Sequence, residues 1–385
     1  AGLETVLDAV LSVEDVGVFK PSAQVYDMVG SHFSVARNEV VFVSSNGWDV
    51  CSAADYGFRT IWANRAGQPM DRLDAQPDVV VSDLTNVPDI AVGLLNDRHG
   101  SGSEIGETQY FTTADGLHLA YRVDGETGPA LLCLCGLTRN MADFDYVARD
   151  FQSRAKVIRL DTRGRGQSDW DPDHLNYTVK TEARDALALL DHLGLDKAAI
   201  LGTSRGGLIA MELAETARDR LTGVCFNDIG PEIELEGLGF IATYLGVRPG
   251  AKTYDEAADG FAANYAGKFP GVPKERWLTH AKRIYREGYD GLDLRYDAML
   301  RQALFEPRQP VVIPDMWAQF DALSGLPVAL IRGEHSDILS AATAEKMKEK
   351  RPDMLYAEIA DRGHVPFLDE PDVTALIGQF LDQLP

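Results

Sequence analysis

The stretch Gly202-Thr203-Ser204-Arg205-Gly206 combines residue types and spacing that could carry chemistry. It follows the apolar run Ala198 to Leu201 and precedes a run compatible with a helix. A strand turning abruptly into a helix strains the backbone of its turn residue and leaves no room for side chains beside it, hence the flanking glycines. Ser204 would occupy that turn, its hydroxyl clear of the sheet. The N–H of Arg205, in the first helical turn, would point at whatever the hydroxyl attacks. Gly207 adds a second small residue for close helix-sheet packing. The implied chemistry is nucleophilic attack by serine, with backbone N–H groups holding the oxyanion that results.

Such a turn needs a sheet around it. Gln109 to Thr113 and Leu117 to Val123 flank Asp115-Gly116, a dipeptide suited to a type I′ hairpin turn. Buried strands follow at Ala130 to Cys135, Lys156 to Leu160, Ala198 to Leu201, Leu221 to Phe226, Val328 to Ile331 and Met354 to Ile359. Helical periodicity lies between them, clearest over Val179 to Leu193. An antiparallel edge feeding a parallel sheet with helices on both faces is expected. From Pro231 to about residue 313 the strand pattern lapses into helix-like segments carrying Phe240, Tyr244, Phe261, Tyr265, Trp277, Tyr285, Tyr289 and Tyr296. This reads as a helical cap over the end of the sheet where such folds bind ligands.

Taken with Asp161-Thr162-Arg163-Gly164-Arg165-Gly166-Gln167-Ser168-Asp169 and Asp361-Arg362-Gly363-His364-Val365-Pro366, residues 108 to 385 resemble the α/β-hydrolase superfamily. The resemblance implies Ser204 as nucleophile and His364 as general base. A histidine that accepts the serine proton needs a buried carboxylate on its other ring nitrogen. The superfamily's usual place for it is the turn after the penultimate strand, which here holds Gly333-Glu334-His335-Ser336-Asp337. Asp337 is therefore the expected acid. Asp228, at the end of another strand, is the alternative, as in some members. The resemblance pairs the Arg205 N–H with one from Cys135-Gly136-Leu137, where members commonly carry His-Gly, and Leu137 N–H is the candidate. The run from Asp161 to Asp169 reads as a structural turn without a catalytic part, and His118, His192 and His335 as surface, packing or loop residues.

Residues 1 to 93 alternate strands (Val40 to Val43, Thr60 to Ala63, Val79 to Val81) with helix-like runs, as in a parallel sheet. Val18-Phe19-Lys20-Pro21 with Tyr26, then Val43-Ser44-Ser45-Asn46-Gly47-Trp48-Asp49, resemble the C-terminal half of a haloacid dehalogenase of the L-2-haloacid type. The resemblance assigns active-site roles to Lys20, Tyr26, Ser44, Asn46 and Asp49. The family's nucleophilic aspartate lies over a hundred residues upstream of the lysine motif, whereas nineteen residues precede Lys20 here. The segment is expected to be a vestigial, Rossmann-like half-domain, its open sheet covered by the second domain or by a partner in a homodimer. Residues 94 to 107, small and polar and including His99, read as the linker.

The chain has 385 residues, with Lys+Arg 37 against Asp+Glu 59 and a formal net charge of −22. That balance opposes nucleic acid and anionic membranes and favours neutral or cationic ligands. With no spanning apolar run and no signal-like N-terminus, a cytoplasmic protein is expected. Cys51, Cys133, Cys135 and Cys225 form no metal-spaced cluster, so neither metal nor disulfide framework is expected. The expected activity is cofactor-independent hydrolysis of carboxylic esters of small or medium neutral substrates through an acyl-enzyme on Ser204. Serine at position 204 argues against an epoxide hydrolase or haloalkane dehalogenase of this fold. The same residues would serve a lactonase, carbon-carbon bond hydrolase or perhydrolase, or a slowly turning-over ligand sensor, and dehalogenation by the first segment is not expected.

Overall fold

The structure is a computed structural model describing residues 7–33, 35, 37, 40–69, 73, 75–96, 106–288, 291–305 and 315–385. His99, the central part of the expected linker, Tyr289 and the end of the expected cap lie outside the described residues. The chain divides into two compact units, Ala1–Ser103 with Gly288–Asp290, and Glu104–Glu287 with Gly291–Pro385.

In the first unit, helices α1 (Ala23–Phe33), α2 (Gly47–Tyr56) and α3 (Val87–Asn96) accompany strands β1 (Val41–Ser44), β2 (Arg59–Ala63) and β3 (Val79–Val81). The strands form a parallel sheet in the order β1-β2-β3. Tyr26, Ala53 and Phe58 make one small core, and Val50, Cys51 and Trp62 another. Val43, Trp48 and Val80 remain exposed.

The second unit is built on an eight-stranded sheet. Its strands are β4 (Gln109–Thr112), β5 (His118–Asp124), β6 (Ala130–Leu134), β7 (Lys156–Leu160), β8 (Ala198–Thr203), β9 (Leu221–Asn227), β12 (Val328–Gly333) and β13 (Leu355–Ile359), with β10 (Tyr285–Gly288) and β11 (Gly291–Leu294) forming a separate hairpin. The order is β13-β12-β9-β8-β6-β7-β5-β4, parallel from β13 to β7 and antiparallel across β5 and β4. The helices are α4 (Asp145–Phe151), α5 (Val179–His192), α6 (Arg205–Thr216), α7 (Leu235–Tyr244), α8 (Tyr254–Asn264), α9 (Lys274–Ile284), α10 (Leu300–Phe305), α11 (Trp317–Asp321), α12 (Ala341–Lys350) and α13 (Pro371–Asp382). One core lies between the sheet and α5, α6 and α11, the other between the sheet and α4 and α13. Helices on both faces are what buried, continuously apolar strands such as β6 and β8 require.

Two local expectations are corrected. The β4–β5 reversal is not type I′, because Asp115 is not among the residues with positive φ. Thr113 N–H instead bonds to Leu117 O at 2.9 Å and Gly116 N–H to Thr113 O at 3.0 Å, with Gly116 left-handed at φ 91°. This is a three-residue connection ending on a left-handed glycine, and it leaves Asp115 free to reach Arg163, 2.9 Å away. The cap, read as helical, contains the β10–β11 hairpin besides α7 to α10. No helix among the described residues is long and apolar enough to cross a membrane.

Candidate active site

Ser204 lies between β8 and α6 at φ 49°, ψ −113°, a region a side chain rarely adopts. The flanking glycines allow this turn by close approach rather than by flexibility. A Cβ on Gly206 would stand 2.0 Å from the Leu134 carbonyl oxygen of β6, and one on Gly202 2.6 Å from the backbone of Gly206 and Gly207. Either would drive the helix off the sheet and the hydroxyl off its line.

His364, in the loop after β13, brings Nε2 to 2.9 Å from Ser204 Oγ. Its Nδ1 lies 2.8 Å from Oδ2 of Asp228. A carboxylate only accepts, so the ring proton sits on Nδ1 and the Nε2 lone pair faces the serine hydroxyl. Asp228 is fully buried, and its Oδ1 accepts the Gly333 N–H at 2.8 Å.

The carboxylate on His364 is therefore Asp228, which corrects the expectation of Asp337. The reason is strand order. β9 lies beside β8, and Thr203 is paired with Asn227, so Ser204 and Asp228 leave adjacent strands at the same level. β12 is one strand further out, about 5 Å more. Beyond β12 the chain is pinned by His335 N–H on Arg362 O, and Asp337 pairs with Lys268 of the cap instead. Asp228 holds a left-handed backbone at φ 57°, the same signature of constraint that Ser204 shows.

Leu137 and Arg205 are placed as oxyanion donors would be. Leu137 and Ser204 line one cavity, Arg205 opens α6 directly after the serine, and neither N–H donates to another group among the described residues. A buried ionic relay joins the two, which sequence reasoning missed. Arg205 donates through Nε and Nη2 to Glu182 of α5 at 2.7 and 2.9 Å. Arg165 donates through Nη1 to Glu182 at 2.8 Å and through Nε to the Leu137 carbonyl at 2.9 Å. Burial raises the Glu182 pKa, but the two guanidiniums outweigh it and hold the carboxyl below its ordinary value. The run from Asp161 to Asp169, expected to be only a structural turn, thus supplies a residue bonded to the loop of Leu137. The only signal in the sequence was an arginine flanked by glycines.

The cavity over Ser204 measures about 460 Å³. Cap aromatics including Tyr244, Tyr265, Trp277 and Tyr285 line it, and of these Tyr265, Trp277 and Tyr285 also pack in the cap core. Phe261 stacks on Tyr285 at 5.8 Å and Tyr265 on Trp277 at 5.7 Å. Arg139, Arg276, His280 and Arg283 also face the cavity, again unanticipated. Burial and the neighbouring Arg139 and Arg283 hold His280 well below its usual pKa, so it is neutral at pH 7. Glu334, His335 and Asp361 bring potential metal donors within 4.8 Å of one another, but all three are exposed and lie apart from the cavity lining.

In the first unit, Lys20, Tyr26 and Ser44 converge on Asp49. Lys20 Nζ lies 3.2 Å from either carboxylate oxygen, Tyr26 Oη donates at 3.4 Å and Ser44 Oγ at 3.0 Å. Asn46 precedes α2 and donates its backbone N–H to Ser44 Oγ, with no side-chain bond to the helix. Burial, then the charge of Asp49, pushes the Tyr26 hydroxyl up to about 12. Asp49→Ala is expected to destabilise this unit by about 1–3 kcal/mol, because it leaves a buried hydroxyl without its acceptor. Hydrogen exchange should quicken in α2 while α6 keeps its protection.

A sheet with a nucleophile elbow, a histidine loop after the last strand and a cap defines a hydrolase class. The family model for the alpha/beta hydrolase fold matches residues 129–371, and the chain belongs to that family. It is 32% identical over 276 residues to a 3-hydroxybutyrate-oligomer hydrolase of Cupriavidus necator, covering 69% of this chain and 93% of that protein. It resembles the crystal structure of an alpha/beta hydrolase from Novosphingobium aromaticivorans, with 38% identity and a TM-score of 0.69, covering 74% of this chain and all of the other. A further 89 residues, 23% of this chain, are 39% identical to an (S)-2-haloacid dehalogenase of Pseudomonas putida and span 39% of that protein's length. The chain is thus a hydrolase of the α/β type joined to a segment similar to part of a haloacid dehalogenase.

Proposed function

We propose that the second unit hydrolyses carboxylic esters through an acyl-enzyme on Ser204. The observation that carries this reading is the unbroken line from Asp228 through His364 to Ser204, with contacts of 2.8 and 2.9 Å. Ser204 Oγ attacks the ester carbonyl as its proton passes to His364 Nε2. The imidazolium formed is stabilised by buried Asp228, and the oxyanion rests on the Leu137 and Arg205 N–H groups. Collapse of the tetrahedral intermediate expels the alcohol, which takes the proton from Nε2. Water, deprotonated by the same nitrogen, then attacks the acyl carbonyl and returns the hydroxyl to Ser204 with release of the acid. Likeness to the 3-hydroxybutyrate-oligomer hydrolase supports esters of hydroxy acids as substrates.

A fluorophosphonate should form one stoichiometric adduct, mapped by mass spectrometry to Ser204. p-Nitrophenyl esters should show an initial burst followed by steady turnover. An adduct elsewhere would refute the assignment of the nucleophile. Stoichiometric release without turnover would favour a ligand sensor.

A further inference from the structure

Resting on the esterase reading, the geometry points to Arg283 as the anchor for a carboxylate carried by the substrate, so that the preferred esters are anionic rather than neutral. Arg283 sits near the end of α9, its side chain 17% exposed, and lines the same cavity as Ser204. Its guanidinium donates no hydrogen bond to any described residue. Its carboxylate partner, Asp145, lies 3.6 Å away, beyond hydrogen-bond reach, and is shared with Arg159 at 2.5 Å, which also holds Asp124 at 2.7 Å. A largely buried guanidinium has five N–H donors to satisfy, and leaving them unmet is costly. The group is nevertheless held in place. Its Cζ lies 4.3 Å from the centre of the Tyr146 ring, and the backbone carbonyl of Arg283 accepts the Asn140 side-chain amide at 2.7 Å.

The surroundings reinforce the sign. Arg276, His280 and Arg283 recur at a spacing of four and three along α9 and all line the cavity, so one face of this cap helix is presented to the ligand. Arg139 faces them from the oxyanion side, its Nη1 3.0 Å from His280 Nε2. Arg139 is neutralised by Asp143 at 2.6 and 2.5 Å, and Arg276 by Asp369 at 2.7 Å, which leaves Arg283 as the group with donors to spare. Asp143 is the one acidic residue among the lining residues. The lining thus carries three arginines and one aspartate in a chain whose net charge is −22, and a low-dielectric pocket focuses whatever field its unpaired donors leave. A carboxylate fits a planar fork of donors better than a neutral carbonyl does.

The test compares 3-acetoxybutanoate with 3-acetoxybutanamide, which differ only in the charged group, in the full-length protein and its Arg283→Met and Arg283→Lys variants. The wild type is expected to favour the acid in kcat/KM by at least about tenfold. That ratio should collapse toward one in Arg283→Met, mainly through KM, and recover in part in Arg283→Lys. Calorimetric titration of Ser204→Ala with the acid should show binding that weakens by a similar factor when Arg283→Met is added. Equal hydrolysis of acid and amide by the wild type, or a ratio unmoved by Arg283→Met, overturns the anchor while leaving the serine mechanism standing. Binding that depends on Arg283 without hydrolysis of either ester supports the anchor and overturns the mechanism.

Discussion

Asp228→Asn should lower kcat by about 10⁴-fold, and Asp337→Asn should change it by no more than about threefold. The asymmetry follows from what each carboxylate touches. Oδ1 of Asp228 accepts the Gly333 N–H at 2.8 Å, and this contact fixes the orientation of an asparagine amide in its place. The amide oxygen keeps the Gly333 N–H, so the NH₂ faces His364 Nδ1, which must then accept. The ring proton is forced onto Nε2, where it points at Ser204 instead of receiving its proton. Among the described residues the Asp337 side chain bonds Lys268, whose side chain is 35% exposed, and a partly exposed ion pair contributes about 0–1 kcal/mol. Single-turnover acylation by a p-nitrophenyl ester, with circular dichroism to verify folding, separates the two variants. Equal losses in both, or a greater loss at Asp337, would return the acid's part to the loop after β12.

Glu182→Gln should reduce kcat by about 10²-fold with KM altered only a few-fold. Loss of one oxyanion donor costs on the order of 3 kcal/mol, and Glu182 steadies both. In the native protein one buried carboxylate binds Arg205, which bears one proposed donor, and Arg165, which grips the loop bearing the other. A neutral amide leaves two buried guanidiniums competing for one acceptor oxygen, and its own NH₂ group opposes their donors. The informative measurement is affinity for a trifluoromethyl ketone, which forms a tetrahedral adduct and samples the oxyanion site. It should weaken in step with kcat, while binding of the ester in a Ser204→Ala background stays nearly constant. Arg165→Lys, which keeps the charge but cannot bridge Glu182 and the Leu137 carbonyl together, should show a smaller loss of the same kind. If Glu182→Gln lowered only the melting temperature, with kcat per folded molecule intact, the relay would be structural support alone.

The relay also explains why an arginine follows the nucleophile. The backbone N–H of residue 205 would be available with most residues, but the Arg205 side chain reaches Glu182 of α5 and the Tyr177 carbonyl at 3.0 Å. A local motif therefore carries a long-range tether, visible only when α5 is in place. The arginine face of α9 is similar. Residues 276, 280 and 283 are legible as one helical face, yet nothing in their spacing tells whether that face meets solvent or a cavity.

What the sequence determined by itself was everything set by adjacent residues. The elbow at Ser204 follows from glycines two before and two after it, since the clash each avoids lies within the turn and the neighbouring strand. The buried strands follow from uninterrupted apolar runs, and the grouping of Lys20, Tyr26, Ser44 and Asp49 from two short motifs. The tertiary structure alone decided which carboxylate meets His364, because chain order says nothing of which strands are neighbours, and β9 rather than β12 lies against β8. It likewise decided which charged side chains line the cavity. Net charge averages over the whole surface, whereas a ligand meets the few side chains that folding gathers around it.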